Sequence, residues 1–198
     1  MDQGPRDTSI VEGNLQHFFG SLLIAAAENQ RANISPHALD YLTKLLVYFQ
    51  ETAQLFNQKD VRIPVLADML SEALDADLYR RITLLRQMGD TSLMVSGYFP
   101  ESLSRRSVDL AYYQKMGGIA YYHLGSLSEE ESIYNELSER FIKLSEILNE
   151  VSEQTQSKDY SISKLLEFYS QTGSDRIFEK LKKQGVIPFK SPKKDRIL

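Results

Sequence analysis

The sequence contains no cysteine and no tryptophan among its 198 residues. The absence of cysteine excludes a disulfide framework, thiolate metal sites and cysteine nucleophiles. The longest apolar stretch, Phe18 to Ala27, is much shorter than the roughly 20 residues that a transmembrane helix requires. The N-terminal residues show neither the basic region nor the apolar region of a secretory signal. We therefore expect a cytoplasmic protein that does not enter a membrane.

The sequence also lacks the short motifs that commonly mark an enzyme. It has no glycine-rich phosphate-binding loop, no Gly-x-Ser-x-Gly elbow and no His-Glu-x-x-His pair. Its three histidines, His17, His37 and His123, lie far apart in the chain, and surface or half-buried imidazoles explain them better than a metal site does. These absences predict no catalytic residue, no cofactor and no metal, and they favour a non-enzymatic protein.

Charge is distributed unevenly along the chain, whose formal net charge is −4. Residues 176–198 hold eight Lys or Arg and two acidic residues, a net charge of +6, which leaves −10 for residues 1–175. A basic end on an acidic body indicates docking onto an acidic surface, its own or a partner's, or an electrostatic arm for nucleic acid. Because the acidic body repels a phosphate backbone, we expect a protein partner or self-association, and no nucleic acid.

Apolar residues recur at intervals of three and four along most of the chain, which is the spacing of an α-helical face. No segment shows the alternation and the turn residues of a β-hairpin. The predicted fold is all-α, with a single-domain bundle of about seven to nine helices over residues 1–188. Residues 189–198 are predicted to form a basic, mobile tail.

Several helix ends are predicted from capping residues. Ser35, followed by Pro36, and Asp77 are placed to begin helices, whereas Gly173 and Gly185 are placed to end them. Gly89 is also expected to end a helix.

The middle of the chain yields two broader expectations. Residues 89–103 are expected to form a short helix or a turn-rich connector, because glycine, proline and hydroxyl residues interrupt a short apolar run. A single long helix is expected from Ser128 to Val151, where apolar residues step by three or four.

The most unusual segment is Tyr112–His123, where two adjacent glycines lie inside a helical pattern. Each glycine inside a helix costs about 1 kcal/mol relative to alanine. On a helix, positions 113, 117 and 121 form one row and positions 114, 118 and 122 form the next, which predicts a trough floored by glycine and walled by phenols. The candidate groove residues, which include a tyrosine of the preceding segment, are Tyr98, Tyr113, Gly117, Gly118, Tyr121, Tyr122 and His123.

Two uses of this trough fit the sequence. In the first, another helix packs closely over the glycines. In the second, an apolar or aromatic small molecule lies in the trough, and tyrosine hydroxyls or His123 supply its few polar contacts. The first use favours a non-enzymatic helical interaction protein, including a homodimer, and the second favours a small-molecule binding protein. The spacing does not separate them.

The segment around these glycines resembles known proteins. The motifs of this segment are Gly89–Leu93, Val95–Pro100, Val108–Leu110, Tyr112-Tyr113 and Met116-Gly117-Gly118. Together they resemble part of an uncharacterised family of bacterial all-helical proteins. The resemblance covers residues 88–124 and implies a bacterial protein. It carries over no activity and no catalytic residue.

An all-α chain of this length with Gly-Gly in a helix is also similar to the haem oxygenase architecture, whose distal helix is glycine-rich above the haem. The Gly-Gly of this sequence lacks the Gly-Asp-Leu-Ser that precedes it in that family. This resemblance implies a haem-dependent enzyme in which His17, on the first helix, is the candidate for the proximal ligand.

Overall fold

The computed structural model describes residues 8–55, 65–103, 109–156 and 161–188. Over these residues it contains nine α-helices and no strand, which confirms the all-α prediction. In chain order they are α1 (Thr8–Asn29), α2 (Pro36–Leu55), α3 (Leu66–Asp75), α4 (Leu78–Leu93), α5 (Leu110–Gly125), α6 (Glu131–Glu139), α7 (Phe141–Thr155), α8 (Ile162–Thr172) and α9 (Asp175–Lys183). The predicted tail, residues 189–198, lies outside the described residues.

Several helices begin and end where the capping residues predict. The side chains of Ser35 and Asp77 accept backbone hydrogen bonds in the first turns of α2 and α4, at 3.1 and 2.9 Å. Gly173 and Gly185 lie just after α8 and α9 with φ angles of +63° and +81°. These angles belong to the left-handed region, which a residue without a Cβ adopts at little cost.

The prediction that Gly89 ends a helix is wrong. The helix α4 continues beyond it and passes directly into a π-helix, Met94–Tyr98, which precedes a 3₁₀ turn over Pro100–Leu103. Gly89 serves packing instead, because a Cβ at this position would lie 2.5 Å from Cε1 of Tyr121. Only a glycine allows this ring to lie against the backbone of α4.

The single helix predicted from Ser128 to Val151 is interrupted. The helices α6 and α7 meet at Arg140, whose φ and ψ are −102° and 12°. Backbone hydrogen bonds continue through the bend, since Arg140 N–H donates to Glu136 O and Leu144 N–H donates to Arg140 O. The apolar spacing is therefore preserved on both sides, which is why periodicity does not reveal the bend.

The helix α7 lies at the centre of the bundle. It packs against α1, α5, α6 and the π-helix. Its fully buried apolar side chains are Leu144, Ile147, Leu148 and Val151. The helices α1 and α2 form a pair in which Gly20 lies beside Thr43, and α4 packs along α5.

The helices α8 and α9 form a second, smaller apolar cluster, and basic side chains of α9 bond to α7. The cluster consists of Leu165, Phe168, Tyr169, Ile177 and Leu181. Arg176 donates to Glu153 at 2.7 Å and also to Asn149, and Lys180 donates to the same carboxylate of Glu153. Part of the basic C-terminal segment thus docks onto an acidic helix of its own chain.

Candidate functional site

The predicted trough on α5 is divided between the inside and the outside of the bundle. Its inward row, Tyr113, Gly117 and Tyr121, is buried. A Cβ on Gly117 would lie 2.4 Å from Cζ of Phe141 and 2.6 Å from Cβ of Ser92. The space over this glycine is therefore filled by two other helices of the same chain.

The outward row, Gln114, Gly118 and Tyr122, lines an open groove between α5 and the α6–α7 bend, which we call the α5 groove. Gly118 lies on its floor, where a Cβ would make an ordinary contact of 3.8 Å with Ser138 O. Ser138 Oγ donates to Gly118 O at 2.8 Å and holds the two walls together. The remaining lining residues include Lys115, Ile119, His123, Glu139 and Ile142, and the volume is about 530 Å³.

A largely buried carboxyl group lies beside the inward row. Asp90 Oδ1 accepts hydrogen bonds from Tyr41 Oη at 2.6 Å and from Tyr121 Oη at 2.7 Å. The three residues come from α4, α2 and α5, so the cluster ties these helices together. Tyr134 of α6 stacks on Tyr121, with ring centroids 6.1 Å apart.

Burial controls the protonation of this cluster. It raises the pKa of Asp90, because the ionised carboxylate loses its hydration, while the two phenol hydrogen bonds and Arg86 act in the opposite direction. Burial also raises the pKa of Tyr41 and of Tyr121, and it raises the pKa of Tyr134 to about 12. The three phenols therefore stay protonated, and those of Tyr41 and Tyr121 remain donors to Asp90.

Two partly exposed charged side chains, Arg86 and Glu130, lie next to Tyr134 at the edge of this cluster. The guanidinium of Arg86 lies 5.7 Å from the centroid of the Tyr134 ring and 3.9 Å from the carboxylate of Glu130. Tyr134 Oη donates to the same carboxylate at 3.2 Å. The two polar groups meet at the stacked rings of Tyr121 and Tyr134, so side-chain contacts join four helices.

The hydrogen bonds of Asp90 have no counterpart in the local sequence pattern. The partners Tyr41 and Tyr121 lie 49 and 31 residues from Asp90 along the chain, beyond the reach of helical periodicity. The one local signal is an acidic residue between the buried positions Met88 and Leu93.

A further cavity, which we call the end cleft, lies between the N-terminal part of α1 and the C-terminal part of α2. Its volume is about 430 Å³. The π-helix and the last residues of α7 complete its walls. The apolar and aromatic lining residues are Leu15, Phe18, Phe19, Leu46, Phe49, Met94, Tyr98 and Phe99, and the polar ones are Gln50, Thr155 and Gln156.

The π-helix packs closely against α7 beside this cleft and is hydrogen-bonded to it. A Cβ on Gly97 would lie 2.8 Å from Cβ of Leu148, so the glycine permits the close approach of the two backbones. The carbonyl of Tyr98 accepts from Ser152 Oγ at 2.6 Å, and the hydroxyl of Tyr98 is hydrogen-bonded to Thr155 Oγ1 at 2.8 Å. Tyr98, predicted to extend the α5 trough, thus lines the end cleft.

His17 is exposed on α1, and among the described residues no group of three His, Cys, Asp or Glu side chains is placed to hold a metal ion. The ring of Phe141 fills the space beside Gly117, one of the two glycines that the haem oxygenase resemblance would place above a haem. None of the helices in the described part of the chain combines the length and the hydropathy needed to span a bilayer.

Comparisons with known proteins add no family to this description. No family model, no curated protein and no solved structure matches the chain. The likeness of residues 88–124 to bacterial proteins and the likeness to haem oxygenase therefore stay predictions.

Proposed function

We propose that this protein binds an apolar small molecule in the end cleft. The observation that carries the proposal is the lining of this cleft, in which eight apolar or aromatic side chains and three polar ones surround about 430 Å³. Ligand sites in proteins typically measure about 300–1,000 Å³ and combine apolar walls with a few polar groups. The π-helix in the wall agrees with this proposal, because π-helical turns are frequent at functional sites.

Part of the apolar wall is open to solvent. The side chain of Phe18 is 48% exposed although its ring packs edge-on against Phe19, with centroids 5.3 Å apart. A ligand that covers this ring removes apolar surface from water, which contributes about 25 cal/mol for each Å². The exposed ring therefore supplies a driving force for binding.

The test is a titration with N-phenyl-1-naphthylamine, an uncharged probe that becomes fluorescent in apolar sites. We expect saturable binding by the unaltered protein and at least about tenfold weaker binding by Phe18→Glu, because a carboxylate in the apolar wall must keep its hydration. The matched control is Ile24→Glu, since Ile24 lies on the same helix, is 50% exposed and does not line the end cleft.

The two variants carry the same charge change on the same helix, so general effects on α1 cancel. Circular dichroism melting curves establish that both remain folded. Absence of probe binding by the unaltered protein, or equal binding by the two variants, contradicts the proposal.

A second candidate function is self-association through the α5 groove, as a non-enzymatic interaction protein. The supporting observation is Tyr122, which is 64% exposed beside the half-buried Ile119 and Ile142. In a two-fold symmetric dimer each patch meets its own copy, so a protruding phenol and an adjacent groove complement each other.

Self-association is tested by light scattering on a size-exclusion column over a range of protein concentrations. The dimer is expected to dissociate in Tyr122→Ala and to persist in Tyr79→Ala, which removes a phenol that is 84% exposed on α4. A monomeric mass at every concentration contradicts this second function and leaves the end-cleft proposal in place.

A further inference from the structure

The direction of one hydrogen bond in the end cleft is fixed by its neighbours. Thr155 Oγ1 lies 2.9 Å from Val151 O and 2.8 Å from Tyr98 Oη. A threonine hydroxyl has a single hydrogen and a carbonyl oxygen only accepts. Both short contacts are therefore hydrogen bonds only if Thr155 donates to Val151, as hydroxyl residues in helices often do to the carbonyl four residues earlier. The hydroxyl of Tyr98 therefore donates to Thr155.

This arrangement leaves Tyr98 with the lone pairs of Oη and no hydrogen to offer. Its side chain is only 6% exposed and lines the end cleft. Among the described residues no hydrogen bond uses these lone pairs, so a ligand that brings an O–H or N–H group to this oxygen gains a hydrogen bond on binding.

The other polar side chains of the cleft favour a ligand without a charged head group. Among its described lining residues, the polar groups are Gln50, Thr155 and Gln156, and none of these residues is ionisable. A carboxylate or ammonium head group would lose hydration in the cleft, and the described residues that line it offer no opposite charge. The two amide side chains fit a neutral polar head, since each carries both donors and an acceptor.

We infer that the ligand of the end cleft is an uncharged amphiphile with a hydrogen-bond-donating head, a hydroxyl or an N–H, on an apolar body. The inference rests on the proposed function and adds to it the polarity of the head group and the atom that receives its hydrogen bond, Tyr98 Oη. A fatty alcohol or an N–H amide has this chemistry, whereas a fatty acid anion and an ether do not.

The inference is tested by displacing bound N-phenyl-1-naphthylamine with three ligands of equal chain length: 1-decanol, decyl methyl ether and decanoate. We expect 1-decanol to displace the probe at about threefold to tenfold lower concentration than the ether, which is the effect of one hydrogen bond. Decanoate is expected to displace it less well than either.

Two variants separate a specific hydrogen bond from general hydrophobicity. Tyr98→Phe removes the acceptor, so the advantage of 1-decanol over the ether is expected to disappear, whereas Tyr113→Phe removes a phenol outside the cleft and is expected to keep the advantage. Thr155→Val frees the hydrogen of Tyr98, which turns this hydroxyl into a donor. The ether, which only accepts, is then expected to bind about threefold more tightly or better.

The possible results separate the identity of the ligand's head group from the existence of a binding site in the end cleft. Equal displacement by 1-decanol and the ether in the unaltered protein, or stronger displacement by decanoate, overturns the inference while the cleft remains a binding site. An advantage of 1-decanol that survives in Tyr98→Phe also overturns it. If the probe itself does not bind the unaltered protein, the proposed function fails and the inference fails with it.

Discussion

The inward and outward rows of α5 have similar compositions but lie in different environments. The inward row has two tyrosines and a glycine, and the outward row has a tyrosine, a glycine and a glutamine. Neighbouring rows on a helix differ by a rotation of about 100°. The inward row meets Phe141 over its glycine and Asp90 at the hydroxyl of Tyr121. The outward row meets an open groove. Spacing along a helix therefore defines two equivalent faces, and only the neighbouring helices make them different.

The largest difference in stability is expected between substitutions of the two adjacent tyrosines. Tyr121→Ala is expected to lower the free energy of unfolding by about 3–5 kcal/mol, because it removes a fully buried ring and leaves a cavity. Tyr122→Ala removes an exposed ring of the outward row and is expected to change it by less than about 0.5 kcal/mol. Urea denaturation of both variants measures the difference, and similar losses would show that the rows are equivalent.

The two adjacent glycines are expected to respond with opposite signs. In Gly117→Ala the new Cβ overlaps Phe141 and Ser92, and overpacking of this kind costs about 1–3 kcal/mol. In Gly118→Ala the new Cβ makes ordinary contacts, so the helix propensity of alanine is expected to stabilise the protein by up to about 1 kcal/mol. Thermal melts of the two variants test this, and a stabilising Gly117→Ala would contradict the close packing of the inward row.

The carboxyl group beside the inward row predicts a pH dependence. Because burial raises the pKa of Asp90 in the folded protein, its contribution to stability is fully present below the unfolded pKa of about 3.9 and is lost as the pH rises through the folded pKa. Asp90→Asn cannot ionise. The free energy of unfolding of this variant minus that of the unaltered protein is therefore expected to increase from pH 4 upward and to level off once Asp90 is ionised.

Urea denaturation at unit steps from pH 4 to pH 8 measures this difference. The control is Asp75→Asn, which removes an exposed carboxyl on α3 and is expected to show a smaller change with pH. A difference that decreases as the pH rises would mean that hydrogen bonds and Arg86, rather than burial, dominate the environment of Asp90.

The helices and several of their ends could be predicted because they depend on residues close in sequence. A capping side chain such as Ser35 or Asp77 bonds to a backbone group three residues away. The same local rules were wrong at Gly89. A glycine is typical of a helix end, but it also allows an aromatic ring to approach the helix backbone, and at this position a ring of α5 does so. They also missed the bend at Arg140, across which the hydrogen bonds continue.

The candidate site was less predictable. The glycine pair on α5 could be recognised because glycine is unfavourable inside a helix. The sequence did not indicate which of the two glycines is covered by other helices and which lines a groove. Tyr98 could be selected as an aromatic residue near the trough, yet it lines the end cleft, whose walls come from four segments of the chain. Asp90 could not be predicted as a partner of two tyrosines, since hydrogen bonds over such separations leave no pattern in the local sequence.

The sequence by itself determined that this chain is all-α, where several of its helices begin and end, and that α5 carries two glycine rows. These properties follow from periodicity and from hydrogen bonds within one or two turns. The tertiary structure decided which row is buried, that Asp90 joins three helices, and that the apolar cleft lies at the end of the bundle. Those features depend on the shapes and polar atoms of helices that are distant in sequence, and the periodicity of one helix holds no information about its neighbours.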